Sequence, residues 1–159
     1  MNKIVIIGGG TMGLGIGQIF AGKGVDTVIR STSEQSAEKH KNSLIKSLDK
    51  RIAKGKLDEA AKEALLSKLT FTTDLSAAAD ADLVIESAVE DLAVKKDLFA
   101  QLDAICKPET ILATNTSSIS ITDIASATKR SDKVIGMHFF NPAPVMKLIE
   151  VIRGVNTSD

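Results

Sequence analysis

The sequence lacks several features on which many proteins of its length depend. Among its 159 residues there is one cysteine, Cys106, and neither tryptophan nor tyrosine. A lone cysteine excludes an internal disulfide and indicates a reducing compartment, so we expect a cytoplasmic protein. The missing tryptophan and tyrosine remove the usual aromatic stacking platforms, and the five phenylalanines remain for the core.

Neither sign of charge predominates, because 20 lysines and arginines balance 20 aspartates and glutamates. Nucleic acids and membrane surfaces usually attract proteins with a basic excess, so we expect neither as a partner. The apolar run Ile4–Ile7 ends at three glycines and is too short for a signal peptide or a membrane span. Two histidines and one cysteine, widely spaced, match no zinc pattern, so no metal is expected.

Strand and helix patterns alternate along the chain. Ile4–Ile7 has no polar alternation, which is typical of a parallel strand buried on both faces. A glycine turn, Gly8–Gly13, follows, then apolar residues at helical spacing, then a second strand at Val25–Ile29. This order builds a Rossmann domain. We therefore predict an α/β fold with a doubly wound, mostly parallel sheet, occupying residues 1–159 as one domain.

Two successive helices are predicted after the second strand. The first, Glu34–Ala53, carries a basic face, Gly55 ends it, and Asp58 caps the second. Together they should project from the sheet as a hairpin, an insertion of the kind that is often functional. Four further strands and an antiparallel edge strand are predicted at Leu69–Thr72, Leu83–Glu86, Ile111–Ala113, Val134–Met137 and Lys147–Ile152.

The glycine turn predicts a dinucleotide site. In Gly8-x-Gly10-x-x-Gly13 the glycines let the backbone approach a pyrophosphate, with Thr11 and Met12 opening the following helix. The phosphate charge would then lie on the N–H groups at the helix N-terminus. The alternative is a purely structural turn between strand and helix.

The end of the second strand bears on which dinucleotide binds. NAD-binding domains usually have an acid there that accepts hydrogen bonds from the ribose hydroxyls. Here the strand leads into Arg30 and Ser31, and Asp26 lies at the wrong end. Because a carboxylate repels a 2′-phosphate whereas arginine and hydroxyls bind it, we favour NADP(H), with NAD(H) as the alternative. The simpler alternative is a solvated Arg30 and a helix-capping Ser31.

A histidine and a glutamate near the end of the chain suggest acid–base chemistry. His138 ends a strand at the carboxyl edge of the predicted sheet, where α/β domains bind ligands. Histidine is the side chain that changes charge near neutral pH, and Glu150 could hold its tautomer. A half-buried glutamate in an apolar edge strand would be costly without a partner. The pair therefore suggests a general base and its orienting acid.

At these residues the chain resembles a known family. The motifs in order are Gly8–Gly13 (GGGTMG), Lys54–Leu57 (KGKL), Asp82–Glu86 (DLVIE), Asn115–Ser118 (NTSS), His138–Pro142 (HFFNP) and Lys147–Glu150 (KLIE). Together they resemble the cofactor-binding domain of the 3-hydroxyacyl-CoA dehydrogenases, most closely the bacterial short-chain 3-hydroxybutyryl-CoA dehydrogenases. The resemblance implies hydride transfer between 3-hydroxybutyryl-CoA and acetoacetyl-CoA.

The resemblance also implies roles for single residues. His138 would be the general base, Glu150 its partner, and Ser117 a hydrogen-bond donor to the substrate's 3-oxygen. The remaining implied contacts are Asn141, Glu90 and Lys95 with the cofactor, and Ser47 and Lys54 with coenzyme A. An ordinary charged first turn for Glu90 and Lys95, and a solvated lysine face for Lys54, are the simpler explanations.

The sequence departs from the family pattern in two places. Ser31 stands where most members have an acid, which puts NAD preference in doubt. The family also continues as a helical domain that forms a homodimer and the other wall of the cleft, whereas this chain ends at Asp159. We therefore expect residues 1–159 alone to be inactive.

Two alternatives to this function remain open. A non-catalytic dinucleotide-binding module would need the glycine turn but not Ser117, His138 and Glu150 together. Another hydroxyacid dehydrogenase with a similar first domain would rely on a catalytic lysine elsewhere. Of the remaining reactive residues, His40 is explained as solvent-exposed on the basic helix face, and Cys106 as buried filler.

Overall fold

Seven strands form one sheet in a computed structural model that describes every residue from Met1 to Asp159. The strands are β1 Lys3–Ile7, β2 Asp26–Arg30, β3 Leu69–Thr72, β4 Leu83–Glu86, β5 Ile111–Thr114, β6 Val134–Phe139 and β7 Ile149–Arg153. The helices are α1 Thr11–Gly22, α2 Glu34–Ala53, α3 Glu59–Ser67, α4 Leu92–Ile105 and α5 Ile121–Ala125, with single 3₁₀ turns at Leu75–Ala78 and Ser131–Lys133. The predicted α/β architecture is confirmed.

The strand order β3-β2-β1-β4-β5-β6-β7 creates a crevice at the carboxyl edge of the sheet. All neighbours pair in parallel except β7, which runs antiparallel to β6. The chain order reverses direction between β1 and β4, and open α/β sheets bind ligands beside such a point. The ends of β1, β4, β5 and β6 therefore surround one candidate site.

The sheet is covered on both faces, which is why its central strands contain no alternating polar residues. Ile4 and Ile6 of β1 pack with the apolar residues of α1, α2 and α3 on one face. Val5 and Ile7 pack with those of α4 and α5 on the other. β1 is thus shared by two hydrophobic clusters.

The predicted helical hairpin is present, and its base is packed while its tip is exposed. Ser33 caps α2 through the backbone N–H of Ser36, and Asp58 caps α3 through that of Ala61. The 20 residues of α2 span roughly 30 Å, longer than the strands beside it. Ala37, Leu44 and Leu48 are buried, so α2 is anchored as far as Leu48, and the residues after it have no fully buried side chain.

The buried stripe of α4 contains a lysine. Val94 is 45% exposed, and the helix buries Lys95, Leu98, Phe99 and Leu102. Apolar periodicity could not identify this face, because a lysine occupies one of its positions. Lys95 can be buried there only because two acidic side chains receive its charge, as described below.

β7 is the antiparallel edge strand that the sequence predicted, and all five of its residues are exposed. Its apolar side chains continue an exposed apolar run that starts in the preceding loop: Val145, Met146, Leu148, Ile149, Val151 and Ile152. A contiguous apolar surface of this kind marks a site of contact with another protein surface. None of the helices combines the length and the apolar character needed to cross a membrane.

The contact between α1 and β1 leaves no room for a side chain at Gly13. A Cβ atom added there would lie 1.8 Å from the carbonyl oxygen of Gly8, whereas one added at Gly10 meets nothing within 4 Å. We expect Gly13→Ala to lower the free energy of unfolding by about 3 kcal/mol or more, since backbone must move.

Gly10→Ala is the matched control and should unfold at nearly the wild-type denaturant midpoint. Urea unfolding followed by circular dichroism measures both changes. Equal stability of the two variants would contradict the close approach of α1 to β1.

Candidate active site

The glycine turn leaves the N-terminus of α1 free to bind an anion. Gly8 has φ +108°, and a Cβ there would lie 2.4 Å from the carbonyl oxygen of Ser87, so only glycine fits. Gly10 is the N-cap and supplies no side-chain hydrogen bond to the first turn, which also holds no acidic residue. Thr11 is exposed, whereas Met12 packs against the core. These features fit a bound pyrophosphate.

A cavity of about 620 Å³ lies between this turn, α2 and the loop after β6. It brings together Gly10, Thr11, Ser47 and Asn141, four of the residues singled out in the sequence. Lys54 is instead the exposed C-cap of α2 and does not line the cavity. The charged residues of the wall are Lys39, Arg51 and Lys56, and no carboxylate faces it.

Arg51 and Lys56 were not identified as binding residues from the sequence. Arg51 was visible only as a member of the basic face of α2, which most often is a solvated face, and Lys56 only as part of the Lys54–Leu57 motif. The helical register of α2 turns Arg51 toward the cavity together with Ser47, four residues earlier.

His40 is not the solvent-exposed residue that the sequence suggested. Its ring is half-buried, and its Nδ1 atom lies 2.8 Å from Oγ of Ser31. Burial, and then the neighbouring charge of Lys39, lower the pKa of His40. Ser31 is only 2% exposed, so its hydroxyl is committed to His40 and does not stand free at the end of β2.

Arg30 faces a second cavity, of about 230 Å³, which Gly8 also lines. Its Nε atom donates a hydrogen bond to the carbonyl oxygen of Thr73, 3.1 Å away. Thr32 lines the same cavity, and its only carboxylate, Asp97, comes from α4. The end of β2 therefore offers a guanidinium and a hydroxyl but no acid.

His138 and Glu150 face each other across the β6–β7 ladder, where they are paired in register. His138 Nδ1 and Glu150 Oε2 are 2.7 Å apart. This contact leaves Nε2 of the imidazole available to another molecule. The Phe140 ring lies beside the imidazole, with 4.7 Å between the ring centroids.

Glu150 is more exposed than expected. The sequence argument assumed a half-buried carboxylate, but 53% of its side chain is accessible because β7 is uncovered on this chain. The cross-strand register, rather than the cost of burial, keeps Glu150 opposite His138.

Glu86, at the end of β4, forms a buried ion pair with Lys95 of α4. The side chains are 0% and 1% exposed, and Lys95 Nζ lies 2.7 Å from Glu86 Oε1. Glu86 also accepts hydrogen bonds from the Thr114 hydroxyl at 2.7 Å and the Ala88 N–H at 2.6 Å. The buried carboxylate is therefore satisfied on both oxygens, as a buried charge must be.

Glu90 continues this network to the turn after β5. It accepts hydrogen bonds from the Thr116 hydroxyl and from the Ser117 N–H, the latter at 3.1 Å, and lies 3.5 Å from Lys95 Nζ. Desolvation raises the pKa of Glu90, but the hydrogen bonds from the turn and the charge of Lys95 outweigh it, so the pKa lies below its usual value. Glu90 thus stays ionised and holds Ser117 in position.

Lys95 acts on the site through Glu90. Its buried ammonium has no open path to a ligand, so the direct cofactor contact implied for Lys95 stays a prediction. The Ser117 hydroxyl is exposed and makes no hydrogen bond within the chain.

Asn115 ties the same turn to the strand that carries the histidine. Its Oδ1 accepts a hydrogen bond from the Phe139 N–H at 2.8 Å, and its Nδ2 lies 3.3 Å from the Ser87 hydroxyl. The ends of β4, β5 and β6 are thereby linked by side chains as well as by the sheet.

A sequence model of a known protein family matches this chain over nearly its whole length. The family is described as "3-hydroxyacyl-CoA dehydrogenase, NAD binding domain", and the match covers residues 3–159. The chain belongs to this family. It is therefore a dinucleotide-binding domain of the 3-hydroxyacyl-CoA dehydrogenases, and the predicted resemblance is confirmed.

Several relatives of this 3-hydroxyacyl-CoA dehydrogenase domain are closely similar. A 3-hydroxybutyryl-CoA dehydrogenase of Clostridioides difficile is 54% identical over 156 residues, which are 98% of this chain and 56% of that protein. A 3-hydroxyadipyl-CoA dehydrogenase of Escherichia coli K12 is 47% identical over 158 residues, covering 99% of this chain and 33% of that protein.

Solved structures agree with this assignment. The (S)-3-hydroxybutyryl-CoA dehydrogenase PaaH1 of Ralstonia eutropha superimposes with a TM-score of 0.96 at 43% identity, over 100% of this chain and 56% of that chain. The dehydrogenase domain thus spans little more than half the length of this relative and of the C. difficile protein.

The buried Glu86–Lys95 ion pair predicts that removing the lysine will destabilise the domain. Lys95→Met leaves Glu86 charged, buried and without its main partner, so we expect the free energy of unfolding to fall by about 3–5 kcal/mol. Lys96→Met is the matched control, because the next lysine is partly exposed and should change stability little.

A second variant tests the cause of this effect. Adding Glu86→Gln to Lys95→Met removes the stranded charge and should recover part of the loss, as measured by urea unfolding at neutral pH. Equal effects of the two lysine variants would show that the buried pair contributes little.

Proposed function

We propose that this domain belongs to an NADP(H)-preferring 3-hydroxybutyryl-CoA dehydrogenase that interconverts 3-hydroxybutyryl-CoA and acetoacetyl-CoA. The observation that carries the proposal is the His138–Glu150 pair, 2.7 Å apart, at the sheet edge. The Ser117 turn lies at the end of β5, which pairs with the same strand β6. A base, its orienting acid and a free hydroxyl are what alcohol–ketone interconversion requires.

The glycine turn would hold the cofactor. Backbone N–H groups at the start of α1, with Gly8, Gly10 and Gly13 allowing close approach, suit a pyrophosphate. Asn141 would contact the nicotinamide side, and Glu90 would approach it beside Ser117. When bound, the nicotinamide supplies or accepts the hydride at C3 of the acyl group.

His138 would hold and move the proton. With Nδ1 bonded to Glu150, its Nε2 is directed to the substrate's 3-oxygen, from which it takes a proton in oxidation and to which it returns one in reduction. The carboxylate of Glu150 stabilises the imidazolium that forms in oxidation. Ser117 donates a hydrogen bond to the same oxygen, and the family resemblance favours the (S)-alcohol.

Coenzyme A would bind along α2. Ser47 lines the larger cavity with Arg51 and Lys56, and these cations suit the phosphates of the nucleotide end. Lys54, exposed at the end of α2, would meet the same phosphates from outside the cavity. The similarity to relatives does not fix the acyl group of the substrate, since relatives of similar identity are named for hydroxybutyryl-CoA and for hydroxyadipyl-CoA.

The wall that would close this site is proposed to be a second, helical domain that also forms a homodimer. The exposed apolar run Val145–Ile152 lies directly beside Glu150 and is the surface that such a domain would cover. Covering it would also bury Glu150 and exclude water from the dyad. Residues 1–159 alone should then bind cofactor but turn over little.

Two other functions are disfavoured by particular residues. A non-catalytic dinucleotide-binding module has no use for an in-register His–Glu pair. A hydroxyacid dehydrogenase that relies on a catalytic lysine would leave the same pair without a role.

His138→Gln in the full-length protein tests the dyad. We expect kcat for acetoacetyl-CoA reduction to fall by about 10²–10⁴-fold, because glutamine cannot exchange a proton with the substrate. Kd for the cofactor should stay near the wild-type value. Lys133→Gln, at the amino end of the same strand, is the control, and a fall in both variants alike would contradict the assignment.

The cofactor preference has its own test. Residues 1–159 should bind NADPH more tightly than NADH, and Ser31→Asp should raise Kd for NADPH about tenfold or more through charge repulsion. Ser31→Asn is the matched control, similar in size but uncharged. Wild-type protein that binds NADH as well as NADPH would overturn the proposed preference.

A further inference from the structure

His40 lies against the backbone of the glycine turn. A Cβ atom added to Gly9 would be only 2.3 Å from its Nδ1 atom and 2.8 Å from its Cγ atom, so the ring packs directly on that residue. The same Nδ1 atom is 2.8 Å from the Ser31 hydroxyl. The imidazole therefore bridges the two points that hold the pyrophosphate and the adenosine ribose in a Rossmann domain.

The other ring nitrogen is available to a ligand. Nε2 makes no hydrogen bond within the chain, and no buried side-chain nitrogen or oxygen is left without a partner. Nε2 therefore reaches the cavity that His40 lines. Where Nδ1 accepts the hydrogen bond from the Ser31 hydroxyl, Nε2 carries the ring hydrogen and can donate it outward; in the imidazolium both ring nitrogens carry a hydrogen.

The surroundings of His40 attract anions. The charged groups that face the cavity are Lys39, on the same helix as His40, and Arg51 and Lys56, the two cations proposed above to meet coenzyme A. The glycine turn, β2 and the loop after β6 contribute no carboxylate to this wall. Burial and the charge of Lys39 favour the neutral form of the His40 imidazole, and a phosphate bound beside it would favour the charged form.

We propose that His40 is a specificity-determining cofactor residue whose Nε2–H donates a hydrogen bond to the 2′-phosphate of NADP(H). The proposal rests on the NADP(H) preference proposed above, and it makes His40 the residue that distinguishes NADP(H) from NAD(H). Ser31, which is buried and bonded to Nδ1, acts as the positioning residue that holds the ring in place. Arg30 lines the other cavity and donates its Nε–H to the Thr73 carbonyl oxygen, so the contact proposed here is made by His40 and not by Arg30.

A consequence of this contact is proton uptake on binding. The pKa of His40 is lowered in the free domain by burial and by Lys39. A dianionic phosphate at Nε2 raises it, so the affinity for NADPH should increase as the pH falls through the bound-state pKa. The affinity should level off below the pKa of the free domain. The affinity for NADH should change far less over the same range.

The first test is an NMR titration of the imidazoles in residues 1–159. The chain contains only two histidines, so His40→Gln assigns both sets of ring signals. From about pH 5 to 8, saturating NADPH should raise the pKa of His40 measurably, whereas NADH should leave it near the free value. An unchanged pKa of His40 with NADPH bound would overturn the proposal.

The second test uses binding constants. His40→Gln should raise Kd for NADPH by about 10- to 100-fold, the range for losing a charged hydrogen bond, and should leave Kd for NADH within a few-fold. The neighbouring exposed residue provides the control, and Lys41→Gln should change neither constant. Unfolding midpoints of both variants confirm that the fold is intact.

The outcomes separate this inference from the cofactor preference. Equal binding of NADH and NADPH by the wild type removes the preference and the inference together. Tighter NADPH binding that survives His40→Gln keeps the preference and overturns only the role of His40. A pKa shift of equal size with both dinucleotides assigns the contact to the pyrophosphate and also overturns the role in specificity.

Discussion

The buried ion pair between Glu86 and Lys95 is the interaction on which the site depends. It joins the end of β4 to the first turns of α4, at the point where the sheet reverses direction. Lys95 also attracts Glu90, whose carboxylate holds the backbone of Ser117 and the hydroxyl of Thr116. A buried charge thus orders the turn that is proposed to face the substrate. Such preorganisation is what lets a site act on a reacting group without rearranging.

A second constraint comes from the antiparallel pairing of β6 and β7. Strands paired in register present opposite residues on the same face, so His138 and Glu150 meet without help from any loop. Asn115 then connects this pair to the Ser117 turn through the Phe139 N–H. The proposed acid–base pair and the proposed substrate-binding turn are therefore held in one hydrogen-bonded unit, although β7 is exposed on this chain.

The sequence predicted the fold more completely than it predicted the contacts of the candidate site. The apolar strands, the glycine turn and the helix cap Asp58 are local signals, and each produced the predicted element, whereas α2 is capped by Ser33 and not by Ser31. Ser31 and His40 show the limit of such signals. The two residues are nine positions apart, and the sequence suggested a helix cap for Ser31 and a solvated side chain for His40. They form a hydrogen bond because α2 packs His40 against the glycine turn. Lys95 shows it again, since apolar periodicity cannot recognise a lysine that is buried because carboxylates outside its own helix receive its charge.

The sequence by itself determined the secondary structure, the Rossmann order of strands and the residue types of the acid–base pair. Those properties depend on local propensity and on spacing, which a one-dimensional pattern records. Only the tertiary structure decided which polar residues are partners: Lys95 with Glu86 and Glu90, His40 with Ser31, and Arg51 with Lys56 along one cavity. The physical reason is that a buried charge or a shared cavity wall is a property of distances between elements, and those distances exist only after the sheet and its two layers of helices have packed.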